Sequence, residues 1–237
     1  MCAIIGWAGK ISTPLLREMY GRSIPYGPHS VGLAYAETGH PLKVFKRAIH
    51  PAVFLRNCNH RIERAARVSR LGFGHVRYAT HGAHTDVNAH PFEFEGVVYA
   101  HNGIISNYNL IRPGVVVDSE CLGPLIKTRA LQRAHGSVGL IWFEGGEMFV
   151  YRKNQSLQAW TWKFSDTDYL TLVASRQCII PTQLARVQHT THTLGMGDAY
   201  KVTEKGLEHV WSVPDEPSEH RDFFNRPRVA LCEHEEE

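Results

Sequence analysis

The stretch Cys2-Ala3-Ile4-Ile5-Gly6-Trp7-Ala8 opens the chain with a thiol that is followed directly by an apolar run. An apolar run of this length, stopped by Gly9-Lys10, is typical of a strand that is buried on both faces. The sequence therefore predicts that the chain enters its core at once, with Cys2 standing just before the first strand.

Cys2 would carry two reactive groups once Met1 is removed. Aminopeptidases remove Met1 when the next side chain is small, and cysteine qualifies, so Cys2 would hold both a thiol and a free α-amine. An ordinary α-amine has a pKa near ~7.7–8.0 and can act as a base at neutral pH. A nucleophile beside its own base is the arrangement of N-terminal nucleophile hydrolases. The alternative interpretation is a structural cysteine at the start of a buried strand.

Composition favours one globular domain. The chain has 237 residues, 43% hydrophobic and 21% charged, which is ample for a sizeable core. Its net charge is +3 with no long basic run, so we expect no nucleic-acid partner. The arginines at helical spacing are those of a solvated helix face: Arg61, Arg64, Arg67 and Arg70. We expect a domain over residues 2–213 and a polar, poorly ordered tail over residues 214–237.

The cysteines and the chain start predict a cytoplasmic protein. Five cysteines form an odd set without a CxxC motif, which is typical of reduced thiols in a cytoplasm-like compartment. The first residues lack the basic region of a signal peptide, and no stretch has the apolar length of a transmembrane helix. We therefore expect a soluble protein without a membrane partner.

Strand and helix patterns alternate along the rest of the chain. Helical patterns are predicted over residues 14–22 with Thr13 as the cap, over residues 51–70, and over residues 118–135, where Pro124 interrupts the helix or delays its start. Strands are predicted over residues 3–8, 31–36, 42–46, 71–79, 97–101, 138–143, 147–152, 157–162, 169–174, 202–203 and 209–213. Many strands with a few helices indicate an α+β domain in which two sheets carry outer helices.

Three loop segments carry residues suited to chemistry. Arg77 ends a predicted strand, and its planar guanidinium can grip a carboxylate at two points. Asn102-Gly103 ends another strand and offers a side-chain amide and a backbone N–H, which together can form an oxyanion hole. Asp118 follows an apolar run at a predicted helix start. Taken singly, each could instead be an ion-pair partner, a hairpin turn or a helix cap.

Together with Cys2, these segments resemble class II glutamine amidotransferases, the family of N-terminal nucleophile (Ntn) glutaminases. Residues 77–82 and 88–91 are most similar to the glutaminase half of glucosamine-6-phosphate synthase, although Tyr78 is more like amidophosphoribosyltransferase. The His-Asn-Gly at residues 101–103 is shared broadly in the family. The resemblance covers residues 2 to 200 and keeps the motifs in the family's order.

The resemblance implies a fold and a set of roles. The fold is a four-layer αββα sandwich in which two mainly antiparallel sheets lie between helices. Cys2 would attack the side-chain amide of L-glutamine, and its own amine would pass the proton to the leaving ammonia. Asn102 and the N–H of Gly103 would hold the oxyanion. The substrate-binding residues implied are Arg77 for the α-carboxylate, Asp118 for the α-amino group, and Thr80 and His90 in the pocket lining.

Two departures from the family pattern bear on catalytic efficiency. Cys2-Ala3 stands where the family begins Cys-Gly. Tyr26-Gly27-Pro28-His29 stands in place of Arg-Gly-x-Asp and lacks both of its charges. In relatives this segment supports the N-terminal nucleophile, so the change concerns the site more than the fold.

The sequence leaves three functions open. The first is a stand-alone glutaminase subunit that hydrolyses L-glutamine to glutamate and ammonia, the ammonia passing to a separate synthase. The second is a free-standing amidohydrolase of γ-glutamyl compounds, and the third is a catalytically idle binding subunit with the same fold.

No cofactor or metal site is expected. Histidines cluster in the loop after Arg77 and again at His189 and His192, but no HExxH motif or cysteine pairing accompanies them. Residues 189–192 are predicted to be an exposed loop.

Overall fold

The computed structural model describes residues 2–213, so the predicted tail at residues 214–237 lies outside the described part of the chain. The strands of residues 2–213 are β1 (Ala3–Gly9), β2 (Ser30–Ala36), β3 (Lys43–Arg47), β4 (Leu71–Arg77), β5 (Phe92–Phe94), β6 (Val97–Ile105), β7 (Gly136–Glu144), β8 (Glu147–Lys153), β9 (Gln158–Lys163), β10 (Tyr169–Ala174), β11 (Thr190–Thr193), β12 (Asp198–Thr203) and β13 (Gly206–Ser212). The α-helices are α1 (Thr13–Ser23), α2 (Pro51–Asn57), α3 (Asn59–Val68), α4 (Tyr108–Ile111), α5 (Leu122–Lys127) and α6 (Thr182–Ala185).

The strands form two antiparallel sheets. The larger sheet has seven strands in the order β11-β9-β10-β1-β4-β2-β3, and the smaller has six in the order β13-β12-β8-β7-β6-β5. β1 lies at the centre of the larger sheet, between β10 and β4. This position explains why its sequence is apolar on both faces, since each face packs against another layer.

Side-chain alternation divides the core into three apolar layers. The layer between the sheets holds Ile4, Phe73, Ala100 and Ile141, all buried. Outside the larger sheet, a second cluster contains residues of α1, α2 and α3. Outside the smaller sheet, a third cluster contains residues of α5. The predicted four-layer αββα sandwich of the α+β class is therefore confirmed.

The predicted helix over residues 118–135 is wrong. Asp118–Cys121 is a 3-10 turn, α5 is short, and a further 3-10 turn covers Leu131–Arg133. Arg129 ends the helical course because its φ of 55° is left-handed. The predicted helix over residues 51–70 is likewise divided, because Cys58 leaves the helical region at φ −119° and ψ 23°.

Two predicted strand ends are also wrong, and both lie beside the candidate site. β6 does not end before Asn102-Gly103 but continues to Ile105, because residues beyond Gly103 still pair with β7. β4 ends at Arg77 rather than at residue 79. Tyr78 and Ala79 therefore belong to the loop that follows β4.

Smaller corrections concern one cap and one edge strand. Ser12, and not Thr13, caps α1, because the Ser12 hydroxyl accepts a hydrogen bond from the N–H of Leu15 at 3.4 Å. Residues 189–192 are not simply an exposed loop, since β11 pairs with β9 and His192 lies 2.8 Å from the hydroxyl of Thr161.

Four cysteines lie in the described range, and each is a free thiol: Cys2, Cys58, Cys121 and Cys178. No helix among residues 2–213 combines the length and the apolarity that a bilayer span requires.

Candidate active site

The strand register brings Cys2 and Arg77 to the same end of the sandwich. In the antiparallel β1–β4 pair, Ala3 lies opposite Val76, so the next pair outward is Cys2 and Arg77. Side chains alternate along a strand, and Ile4 and Phe73 point into the layer between the sheets. Cys2 and Arg77 are an even number of residues away from them, so their side chains lie on the same face. The thiol and the guanidinium are thus neighbours at the edge of the inter-sheet core.

The same alternation brings Asn102 from the opposite sheet. Ala100 of β6 lies in the inter-sheet layer, and Asn102 is two residues further along the same face. Asn102 is buried, and its side-chain amide makes no hydrogen bond to any described residue. A free amide donor therefore approaches the site from the second sheet.

Gly103 occupies a position that no other residue could take without strain. Its φ is +147°, and a Cβ built there would lie 1.9 Å from the carbonyl oxygen of Ser137 on β7. This close approach lets the strand continue past Asn102 while its backbone is twisted. The glycine is therefore explained by geometry, whatever role its N–H has.

The thiol of Cys2 lies against the backbone of Tyr78. The Tyr78 N–H donates to Sγ at 3.3 Å, and Sγ lies 3.6 Å from the Tyr78 carbonyl oxygen. The pKa of Cys2 is raised above its ordinary value, mainly because the thiol is shielded from water; Asp118 adds to the rise, whereas the Tyr78 backbone and Arg77 oppose it. A thiol held protonated at neutral pH needs a base before it can act as a nucleophile.

Arg77 is a buried cation in which one guanidinium nitrogen has no hydrogen-bond partner among the described residues. Its side chain is 3% exposed, and one nitrogen donates to the carbonyl oxygen of His81. The other nitrogen, Nη1, has no hydrogen-bond partner among the described residues, and no carboxylate of those residues pairs with it. Burial lowers the pKa of Arg77, while Cys2 and Asp118 oppose the shift. An unpaired guanidinium arm of this kind is suited to an anionic group of a ligand.

Asp118 joins the end of β6 to the following 3-10 turn. One carboxylate oxygen accepts the N–H of Ile105 at 2.9 Å, and the other accepts the N–H of Ser119 at 2.9 Å. The carboxylate is buried, and its charge affects the pKa of both Cys2 and Arg77. Asp118 therefore acts as a backbone cap and also supplies the negative charge of the site.

Thr80 and His90 differ in their exposure to solvent. Thr80 is exposed in the loop after β4, with its hydroxyl 3.2 Å from Nδ1 of His81. His90 is buried against His75, with ring centroids 4.1 Å apart, and neither ring nitrogen has a partner among the described residues. Burial lowers the pKa of His90 well below its ordinary value, so the ring is neutral.

Sequence reasoning missed the backbone of Tyr78, whose N–H and carbonyl oxygen both contact the Cys2 thiol. No side-chain pattern marks this contact, because both Tyr78 atoms belong to the main chain. A groove of about 770 Å³ lies elsewhere, beside β3 and the β5–β6 turn, and none of the seven candidate residues lines it.

The combination is suited to acyl transfer. A thiol can form a covalent intermediate, a free amide can stabilise a developing oxyanion, and an unpaired guanidinium can hold a carboxylate. Each of these groups comes from a different segment. The β1–β4 register brings Cys2 and Arg77 together, and the contact of His75 Nε2 with the carbonyl oxygen of His101, at 3.0 Å, places β6 beside β4 at the same end of the sandwich.

Curated relatives share sequence with part of the chain. A glutamine–fructose-6-phosphate aminotransferase from Xylella fastidiosa is 39% identical over 115 residues, which cover 47% of this chain and 18% of that protein. The enzyme of the same name from Mesorhizobium japonicum is 31% identical over 174 residues, covering 63% of this chain and 28% of that protein. The chain thus spans less than a third of the relatives' length.

Solved structures share the fold at lower identity. Glutamine phosphoribosylpyrophosphate amidotransferase from B. subtilis gives a TM-score of 0.67 at 20% identity, covering 88% of this chain and 49% of that one. A glutamine aminotransferase class-II domain protein from Silicibacter pomeroyi gives 0.52 at 16% identity, covering 90% and 100% of the two chains. No family model matches the chain.

The relatives' sequences and the Ntn architecture agree with the motifs around Cys2. The chain is therefore similar to the class II glutamine amidotransferases, in sequence over part of its length and in fold over most of it.

Proposed function

We propose that residues 2–213 form a glutaminase domain that hydrolyses L-glutamine to glutamate and ammonia through a γ-glutamyl thioester on Cys2. The observation that carries this proposal is the buried Nη1 of Arg77, which has no hydrogen-bond partner within residues 2–213 and lies at the same end of the sandwich as the Cys2 thiol. A cation that is shielded from water and left without a partner favours an anionic substrate group.

Substrate binding follows from the charges of free glutamine. Glutamine is a zwitterion, so its site needs one fixed cation and one fixed anion. In this proposal Arg77 binds the α-carboxylate and Asp118 binds the α-amino group. Thr80 and His90 complete the pocket, Thr80 from the surface loop and His90 from the interior behind it.

The chemistry proceeds in two steps. The α-amine of processed Cys2 accepts the thiol proton, and Sγ attacks the amide carbon of the substrate. The C–N bond then breaks as the amine returns the proton to the leaving ammonia, giving the thioester. Water adds to the thioester and releases glutamate. Asn102 and the N–H of Gly103 hold the oxyanion in both steps, where such donors have their greatest effect.

The ammonia, in our proposal, passes to a synthase carried by a separate protein. Support comes from the relatives' names, which describe transfer of glutamine nitrogen to a second substrate. We also propose a cytoplasmic location, because the four described cysteines are free thiols.

One substrate comparison tests the function against its two alternatives. Purified protein is given L-glutamine, D-glutamine and γ-glutamyl-p-nitroanilide, and glutamate release is measured with and without co-purifying proteins. The proposal predicts turnover of L-glutamine only. Preferred turnover of the anilide would favour a general γ-glutamyl amidohydrolase. Absence of turnover under every condition would favour an idle binding subunit.

A further inference from the structure

The segment of residues 26–29 lies directly against the end of β4. Gly27 makes this approach possible, because a Cβ at that position would lie 2.5 Å from the carbonyl carbon of Val76 and 2.6 Å from the nitrogen of Arg77. Real Cβ atoms do not approach backbone atoms so closely. The segment is therefore packed against the last residues of β4, directly before the loop that contacts Cys2.

His29 makes two hydrogen bonds to this loop, one on each side of Tyr78. The His29 N–H donates to the carbonyl oxygen of Arg77 at 3.0 Å. The N–H of Ala79 donates to Nδ1 of the His29 imidazole at 2.9 Å. The peptide groups that flank Tyr78 are thus both held by a single residue.

The backbone of Tyr78 itself contacts the thiol of Cys2 through its N–H at 3.3 Å and its carbonyl oxygen at 3.6 Å. Tyr78 therefore lies between His29 on one side and Cys2 on the other. Its ring also lies 5.0 Å from the His29 imidazole, which stacks on His84 with ring centroids 4.0 Å apart.

We infer that His29 is a positioning residue, which holds the Tyr78 backbone against the Cys2 thiol by accepting the Ala79 N–H, and that only its neutral imidazole can do so. The inference rests on the proposed function for its catalytic consequence. Its physical basis is that a protonated Nδ1 carries hydrogen and becomes a donor, which cannot accept a bond from the N–H that points at it.

The surroundings of His29 favour the neutral form. Among the described residues, the groups that face it are Arg77 at the end of β4, and Tyr78 and His84 in the loop after β4. Burial is the main cause that lowers its pKa below 6.5, and the positive charges of His84 and Arg77 lower it further. The contact is therefore fully present above pH 6.5 and is lost as the pH falls through the lowered pKa.

Four variants separate this role from a general structural one. His29→Asn keeps a side-chain acceptor that does not titrate, whereas His29→Ala removes it. His84→Asn removes one of the charges that oppose protonation of His29. His50→Asn is a matched control, because His50 also accepts a backbone N–H at Nδ1, from Ala52 at 3.1 Å, but does so at the start of α2.

Two readouts are recorded between pH 5 and pH 8.5: kcat/KM for glutamate release, and the melting temperature. We expect wild type to show an acid limb that His29→Asn lacks and that His84→Asn moves to higher pH. His29→Ala should lower kcat/KM about 5-fold at high pH, as expected for one lost hydrogen bond, and Asn should recover most of this loss. The profile of His50→Asn should match wild type.

Melting curves can be measured on a protein that shows no activity, so they test the role of His29 independently of the proposed glutaminase function. We expect the difference in melting temperature between wild type and His29→Asn to grow as the pH falls below 6.5. A constant difference, or identical activity profiles for the two proteins, would overturn the role of His29. A pH-dependent difference in a protein without glutaminase activity would instead refute the proposed function and leave the His29 contact standing.

Discussion

At the scale of single residues, the unused arm of Arg77 leads to the first prediction. Arg77→Lys keeps the charge but loses the planar fork, so it should raise KM for glutamine more than it lowers kcat. The reason is that the α-carboxylate carries the same charge in the ground and transition states. Steady-state kinetics check this, and an unchanged KM would remove Arg77 from the binding site.

Replacement of Asn102 should lower kcat and leave KM nearly unchanged, the reverse of the effect expected for Arg77. The Asn102 amide is buried and makes no hydrogen bond to a residue of the described range 2–213, so it is free to bind an oxyanion that exists only during the reaction. Asn102→Ala should lower kcat by ~100–1,000-fold, equivalent to about 2.7–4 kcal/mol, with KM nearly constant. A melting curve is the control. Loss of stability without a specific loss of rate would show that Asn102 is only structural.

Residue types could be selected from the sequence, but their contacts could not. Cys2, Arg77 and Asn102 stand out because a thiol, a guanidinium and an amide lie at predicted strand ends. The contact between Cys2 and Tyr78 was invisible because it uses main-chain atoms. The hydrogen bond from Ala79 to His29 was missed for two reasons. Its donor is the main-chain N–H of Ala79, and its acceptor is an imidazole at a position where the family pattern has an acid.

At the scale of elements, the passage of β6 through Gly103 leads to a stability prediction. Gly103→Ala should destabilise the protein by about 2–5 kcal/mol, because the new Cβ meets backbone and the φ is strained. Gly145→Ala is the matched control. Gly145 also has a positive φ, +60°, but nothing lies within 4 Å of its Cβ position, so about 1 kcal/mol is expected. Equal losses in chemical denaturation would contradict the account of β6.

The elements that sequence reasoning misplaced have physical explanations. Asn102-Gly103 was expected to end a strand, since this dipeptide favours turns. Pairing with β7 overrides that preference and carries β6 on to Ile105. The helix expected after Asp118 is broken by the left-handed Arg129, whose conformation no periodic pattern signals. Tertiary pairing and single backbone angles are the information that a single sequence lacks.

At the scale of the whole molecule, buried neutral histidines predict acid lability. Burial lowers the pKa of His75 from 6.5 to about 3, and lowers those of His90 and His101 as well. The folded protein favours the neutral form of these histidines. The stability that they contribute is therefore fully present above pH 6.5, and it is lost as the pH falls toward their lowered pKa values. For His75 alone, the loss by pH 4.5 is about 3 kcal/mol as an upper limit.

Thermal unfolding at a series of pH values checks this prediction. Wild type should lose melting temperature steadily below pH 6.5. His75→Gln keeps a donor for the carbonyl oxygen of His101, which His75 Nε2 contacts at 3.0 Å, but it does not titrate, so its profile should be flatter. Parallel profiles for the two proteins would mean that His75 does not contribute to acid unfolding.

The architecture itself was accessible from sequence, because the order of motifs resembles a known family and the strand patterns are strong. The αββα layering and the antiparallel sheets follow that expectation. The spatial convergence of Cys2, Arg77 and Asn102 was not accessible by periodicity, since it depends on the β1–β4 register and on the packing of β6 against β4 across the two sheets.

The central claim is that Cys2, freed from Met1, is the nucleophile that attacks a bound glutamine. Intact-mass spectrometry after reaction with a diazoketone analogue of L-glutamine tests it most directly. We predict a protein that lacks Met1 and carries one adduct, mapped to Cys2, with no adduct in Cys2→Ala and protection by L-glutamine. An adduct on protein that retains Met1, an adduct at another residue, or no adduct on folded wild type would contradict the claim.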